Sequence, residues 1–363
     1  PLAGVADVDG SSHNSGDSEA TRLEAPSESG PMPSAGRAPM PNPAVVTWSP
    51  SLTLVPSHSC FNECGYCSFR RPAAAAAPLA DALSPQQAQA QLDAHPDATE
   101  VLLLSGEVAP GSPWRRPWFR RLLDLSRLAL ADGRLPHTNA GPLAPAEMAA
   151  LARLNPSLGL MLEGLGPAYE ALHRHAPSKR LAVRLGQLEW AGRLGIPFTT
   201  GLLLGVGESP ADRLRALELL AALQRRWGHI QEVILQPWRP DGEGATPLSA
   251  QACDRLLETI AIARAVLPAE VHLQLPPNLW PLQRLPDALA AGIDDLGGID
   301  LRDVINPAYP QPGVALLRRF LRRHGWQLMP RLCVHAAWLP RLPRPLQQHC
   351  RRVARTLQAR HGC

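Results

Sequence analysis

The sequence predicts an α/β protein, a (β/α) barrel of the TIM type, full or partial, and three observations predict it. From Leu52 to Gly298, short apolar runs alternate with amphipathic segments of helical length. Strand–helix alternation over that distance gives parallel βαβ units, and up to eight of them fit this stretch. The most polar residues also gather just after the apolar runs. In a barrel those positions converge on one face, where the chemistry is placed.

The strand candidates, in order, are Leu52–Val55, Val101–Leu104, Leu135–Thr138, Leu158–Leu162, Phe198–Leu204, Glu232–Gln236, Val271–Gln274 and Asp295–Gly298. Helical stretches fall at 85–94, 117–132, 145–154, 180–194, 210–227, 250–266 and 282–291. Ser84-Pro85 and Ser209-Pro210 open two of them with a side-chain cap followed by a residue that needs no N–H partner. Residues 1–45 are rich in Ser, Pro, Gly and acids without apolar periodicity, and are expected to be a disordered tail rather than a secretory signal. Residues 46–310 make the expected barrel core, and 311–363 a basic C-terminal extension. Ala73–Ala77 is a low-complexity patch in the first connection.

Composition narrows the function classes. At 45% hydrophobic over 363 residues the chain can bury a large core. No run of eighteen apolar residues exists, so no membrane span is expected. Of seven cysteines, three cluster and Cys253, Cys333, Cys350 and Cys363 are scattered, which is no disulfide framework and fits a reducing cytoplasm. Gly313 to Cys363 carries eleven arginines and no acid, but Lys179 is the only lysine in the chain. The basic end is therefore read as an arginine-biased, solvated tail, and nucleic-acid binding is not expected, since no binding motif accompanies it.

The cysteines carry the chemistry. Cys60, Cys64 and Cys67 are spaced Cys-x3-Cys-x2-Cys on the loop leaving the first strand. Thiolates so close need a cation among them. A structural zinc site would show a fourth ligand at short spacing, and His58 is poorly placed to be one. Three ligands and an open fourth position describe a [4Fe–4S] cluster. With Tyr66 before the last cysteine, the motif resembles that of radical S-adenosylmethionine (SAM) enzymes. The resemblance implies that SAM chelates the open iron and is cleaved to a 5′-deoxyadenosyl radical. Ser105-Gly106-Glu107, after the second strand, is similar to the element that holds the SAM amino group in that superfamily. Lys179 and Arg184 are candidates for the SAM carboxylate; Gly205-Val206-Gly207 lacks the third glycine of a dinucleotide fingerprint and reads as a tight turn, with Gly205 lining the adenine as the alternative.

Longer blocks narrow the family. Cys60-Phe-Asn-x-Cys64-x-Tyr66-Cys67-x-Phe69-Arg70, Leu135-Pro-His-Thr-Asn-Ala-Gly-Pro142, Ile196-Pro-Phe-Thr-Thr-Gly201, Gly228-His-Ile-Gln-Glu-Val233 and Pro276-Pro-Asn278 resemble the CofG subunits of Fo synthase, from about Trp48 to Pro310. That resemblance implies a lyase-type radical SAM synthase. It would form the deazaflavin Fo from 5-amino-5-(4-hydroxybenzyl)-6-(D-ribitylimino)-5,6-dihydrouracil by hydrogen abstraction, ring closure and ammonia loss. It implies a CofH-type partner supplying that adduct, and an electron donor such as ferredoxin or flavodoxin. A ring, a polyol chain and a phenol call for many neutral hydrogen bonds. The strand ends offer Asn139, Thr199, Thr200, Gln231, Glu232, Gln236 and Asn278 for the substrate, with Glu163 or His137 as proton carrier. A CofH-type reaction on another small molecule and a non-catalytic metal-binding module are the alternatives. Arg331-Leu-Cys333-Val-His335 departs from the family's closing segment, and as a cover of the barrel mouth it would make different contacts there.

Overall fold

The structure, a computed structural model, describes residues 44–72, 79, 82–240 and 246–361. Most of the expected tail 1–45 and the Ala73–Ala77 patch lie outside these.

Eight parallel strands close on themselves. They are β1 (Ala44–Leu54), β2 (Glu100–Leu104), β3 (Leu135–Asn139), β4 (Ser157–Gly159), β5 (Phe198–Leu204), β6 (Ile230–Pro237), β7 (His272–Gln274) and β8 (Asp295–Ile299). Each pairs with the next, and β8 returns to β1 through Thr47↔Asp295, Ser49↔Gly298 and Pro50↔Ile299, so the barrel is full rather than partial. Closure leaves no exposed edge in this ring. β1 is longer than the apolar run Leu52–Val55 predicts, because its first half also pairs with a ninth strand, β9 (Trp326–Pro330), from Ala44↔Trp326 to Trp48↔Pro330.

The helices are α1 (Pro85–Ala94), α2 (Arg115–Ala131), α3 (Pro145–Ala152), α4 (Pro167–Leu172), α5 (Leu181–Arg193), α6 (Pro210–Trp227), α7 (Ala250–Val266), α8 (Leu285–Ala291), α9 (Val314–Arg323) and α10 (Arg344–His361). Ser84 and Ser209 cap α1 and α6 as expected: each hydroxyl accepts the N3 amide, and Gln87 and Asp212 reach back to the cap amides. The stretch expected as one helix over 282–291 is a 3-10 turn, Leu282–Arg284, followed by α8. Pro286 sits in the first turn of α8, the one place where its missing N–H costs nothing.

The core fills the shell between barrel and helices. Phe198, Leu202 and Leu204 of β5 and Val233 and Leu235 of β6 pack in one cluster with Leu188, Leu217, Leu220, Leu256 and Ile260 of the helices. A second, smaller cluster joins Leu135 of β3 to Leu332, Val334, Trp338, Leu346, Val353 and Leu357. The C-terminal segment is thereby fastened to the N-terminal end of the barrel strands. Burial of this much apolar surface is what holds the basic α10 down. Among the described residues no helix is long and apolar enough to cross a membrane.

Candidate active site

The cysteine loop is tied to the C-terminal end of the barrel by backbone hydrogen bonds. Phe61 N donates to Glu107 O (3.0 Å), Glu63 N to His175 O (2.8 Å), Gly65 N to Leu172 O (3.0 Å), and Gly106 N to Ser57 O (2.7 Å). Gly106 has to be glycine, because a Cβ there would fall onto the Ser59 carbonyl. The result is one cleft lined by Cys60, Cys64, Cys67, Tyr66, Ser105, Gly106, Glu163, Lys179 and Arg184, among others.

The three thiols fit a multi-iron cluster. Burial, and then Glu107, raises the Cys60 thiol above its ordinary value, and burial pushes Cys64 up to about 12. Without a cation these are neutral thiols; a bound metal is what would deprotonate them. Among the described residues the only trio of ligand atoms all within 4.8 Å of one another is Glu232, Asp295 and His335. The three cysteine sulfurs are not such a trio, as ligands to separate irons of one cluster need not be. Arg331 already occupies the other trio, so that is an ion-pair site.

Beside the cysteines lies a buried polar knot. The Glu163 carboxylate accepts from Tyr66 OH, from Lys179 Nζ and from His173 Nε2 (3.1 Å). Glu163 is the one non-glycine residue with positive φ (73°) among the described residues. Strain of this kind persists where surroundings over-determine it, and here it turns the carboxylate into the cleft. Burial alone would raise the Glu163 pKa, but Lys179, the His173 hydrogen bond and Arg184 hold it well below the carboxylate range. It is a fixed anion, poorly suited to deliver protons.

Glu107 sits differently from its expected role. Its carboxylate accepts from Arg184 Nη2 (3.0 Å), Asn62 Nδ2 (3.0 Å) and the Ser178 hydroxyl, and it does not line the cleft. Arg184 in turn donates to the Ser178 carbonyl (3.0 Å). Asn62 and Ser178, which sequence reasoning passed over, anchor this second knot; Asn62 lies between two motif cysteines, which was the available signal. Gly205 is not brought to the cleft. It is exposed in a turn where its N–H donates to Glu208 (2.8 Å).

The barrel interior forms the second half of the site. This cavity has about 1090 Å³ of empty space, the open solvent at its mouth included. His137, Asn139, Thr199, Glu232, Gln236 and Asn278 line it; Thr200 and Gln231 are buried behind the wall. Gln231 instead donates to the Cys333 carbonyl (3.0 Å) and accepts from His335 N (3.0 Å). Asn278 gives its amide nitrogen to Asp303 (2.8 Å) and the Tyr309 carbonyl (3.0 Å), and its Oδ1 has no partner among the described residues. Asn139, Gln236, Leu104, Met161 and Ile305 line both spaces, so the cysteine cleft and the cavity adjoin along a shared wall.

The segment Arg331–His335 closes the opposite end. Arg331 and Cys333 line the cavity, reached through the N-terminal ends of the strands, so the segment is a floor and not a cover of the mouth. Arg331 Nε and Nη2 bind both oxygens of Asp295 (2.5 and 2.7 Å), and Nη2 also reaches Glu232 (2.7 Å). One cation thus faces Asp295, Glu232 and the nearby Glu100. Asp295 is buried, yet Arg331 holds it below the carboxylate range. Burial, with Asp295 nearby, keeps Glu232 well above that range, and burial also raises Glu100. Burial thus favours the protonated form of Glu232, while the adjoining Asp295 is held as the anion by Arg331.

A model of the radical SAM superfamily matches residues 54–220. A 7,8-didemethyl-8-hydroxy-5-deazariboflavin synthase of Synechococcus elongatus is 53% identical over 84% of this chain and 91% of its own length. One from Thermosynechococcus vestitus is 48% identical over 85% and 98%. The chain belongs to the 7,8-didemethyl-8-hydroxy-5-deazariboflavin synthase family. Members of this family are radical SAM enzymes, and their cofactors are a [4Fe–4S] cluster and SAM. Solved structures agree on the fold. The hydrogenase maturase HydG from Carboxydothermus hydrogenoformans matches with a TM-score of 0.62 at 18% identity, covering 88% of this chain and 78% of that one. Methylornithine synthase PylB gives 0.57 at 16%, covering 78% and 83%. For the synthase family, the three-thiol cleft and the adjoining barrel cavity are where cofactor and substrate have to meet.

Proposed function

We propose that this chain forms the deazaflavin Fo, 7,8-didemethyl-8-hydroxy-5-deazariboflavin, from 5-amino-5-(4-hydroxybenzyl)-6-(D-ribitylimino)-5,6-dihydrouracil. The observation that supports it most is the shared wall of Leu104, Asn139, Met161, Gln236 and Ile305, which sets a substrate in the barrel directly against the cysteine cleft. Cys60, Cys64 and Cys67 hold the cluster. When bound, the cluster and SAM supply one-electron, hydrogen-abstracting chemistry at that wall. Lys179 and Arg184 are the cations for the SAM carboxylate, and the fixed anion Glu163 and the Tyr66 hydroxyl take its polar groups. Ser105 and Gly106 let the ligand approach the backbone closely. The barrel wall encloses the substrate and keeps water from the reacting atoms.

Inside the cavity, His137, Asn139, Thr199, Gln236 and Asn278 supply neutral hydrogen bonds for the ring and the ribityl hydroxyls. The adduct comes from a CofH-type enzyme, the electron from a ferredoxin or flavodoxin, and the setting is the cytoplasm. The test is direct. Anaerobically reconstituted, reduced protein given SAM and the adduct makes a product with deazaflavin fluorescence, and Cys64→Ala makes none. SAM cleavage with no fluorescent product would overturn the substrate assignment.

A further inference from the structure

We propose that His137 is a base fixed in one tautomer, with bare Nε2 toward the substrate, and that it carries the proton moved when ammonia leaves. This rests on the reading of the function given above. The lock is a relay that begins in the floor segment. Ser157 Oγ stands 2.8 Å from the Cys333 carbonyl, which can only accept, so the hydroxyl proton points there. His137 Nδ1 lies 2.6 Å from the same Oγ, which can then only accept in turn. Nδ1 therefore carries the proton, and Nε2 is left with its lone pair. His137 lines the barrel cavity, and a Cβ built on Gly159 would lie 2.7 Å from Nε2. The glycine leaves that nitrogen open.

The step it serves balances without an oxidant. The carbon–nitrogen bond to the amine breaks and its electron pair leaves with nitrogen. A neighbouring carbon gives its proton to Nε2 and its electron pair to the new double bond. The imidazolium then passes that proton to the departing amine, which leaves as ammonia. Burial, and then the Arg331 charge, push the His137 pKa down to about 3, so the imidazole rests neutral with Nε2 unprotonated. Glu163, the other candidate carrier, is pinned by Lys179. Residues 333 and 157 act through His137 and are positioning groups.

His137→Gln keeps a polar group of similar reach but removes the base. In holoenzyme the Fo formed per 5′-deoxyadenosine should fall by about 10²-fold or more relative to wild type. A product heavier than Fo by one ammonia should accumulate. Ser157→Ala should show the same uncoupling more mildly, and ¹⁵N-histidine NMR should lose the Nδ1-protonated pattern assigned by comparison with His137→Gln. Fo formation by His137→Gln at the wild-type rate overturns the proposal. So does an equal fall in 5′-deoxyadenosine and Fo, which is what a merely structural residue gives. If Ser157→Ala fails to fold, the wild-type spectrum set beside that of His137→Gln still decides the tautomer; if His137→Gln fails, His137→Asn takes its place, and a protonated Nε2 refutes the proposal. A wild type that makes 5′-deoxyadenosine but no Fo removes the function and this step together.

Discussion

Arg331→Met should destabilise the barrel through its floor, and the size of the effect follows from the charges there. Arg331 is the one cation bound to Asp295, whose side chain is fully buried. The variant leaves that carboxylate the Thr47 hydroxyl, the Gly297 amide and the neighbouring Glu232 carboxyl, with no guanidinium to balance its charge. Removing one partner of a buried pair costs roughly 3–5 kcal/mol. For a folded body of about 320 residues the unfolding entropy is near 0.7 kcal/mol per degree, so the midpoint should drop roughly 4–8 °C. The sign with pH is also fixed. In wild type, Asp295 has its pKa lowered, so its contribution is present above the unfolded value and is lost only under strong acid. In Arg331→Met the same carboxyl is buried without its cation and its pKa rises. Stability should then fall as pH increases from about 4, by up to about 1.4 kcal/mol per unit. Asp295→Asn on top of Arg331→Met should recover most of the loss, since it removes the stranded charge. Thermal melts of the three proteins from pH 5 to 8 give the answer. A single variant within about 1 °C of wild type, with no new pH dependence, would refute the reasoning.

Three further outcomes are expected. Cys64→Ala should lose the brown colour and fall from about four irons per chain to a small fraction after reconstitution, with the barrel's circular dichroism unchanged. Gly106→Ala forces the Ser59 carbonyl away and with it the cysteine loop, so iron uptake should drop at least several-fold while the melting midpoint moves less than for Arg331→Met. Glu232 has its pKa raised in the fold, so the folded state holds a proton the unfolded chain releases, and stability declines as pH rises above about 4.5 toward the folded value. Glu232→Gln should remove that decline, read as a flatter midpoint between pH 5 and 9.

Much of this was legible in the sequence, for physical reasons that can be named. Helices α1, α6 and α7 run over the residues their periodicity and caps predict, because Ser-Pro starts and apolar faces are local signals. The cysteine motif announced its own loop. The floor was not legible. Arg331 lies 99 residues from Glu232 and 36 from Asp295, and nothing local marks the three acids at the strand beginnings as a charge cluster. Glu107 looked like a free carboxylate because Arg184, 77 residues on, is invisible to a local reading. Gly205-Val206-Gly207 reads as a tight turn from its local glycines, and a turn is what forms, closed by Glu208; the alternative of lining the adenine is what the structure does not bring together. The His137 tautomer depends on Cys333, in a stretch whose departure from the family pattern was the only hint of its importance.

The central claim is that the substrate's reacting atoms stand against the cofactor cleft across the shared wall. The most direct test uses perdeuterated adduct with the reduced holoenzyme and SAM in deuterium oxide, beside a reaction without adduct, reading 5′-deoxyadenosine by mass spectrometry. The account predicts one deuterium in the 5′-deoxyadenosine formed with the adduct, appearing together with Fo, and unlabelled 5′-deoxyadenosine in its absence. Unlabelled 5′-deoxyadenosine in both reactions would contradict it.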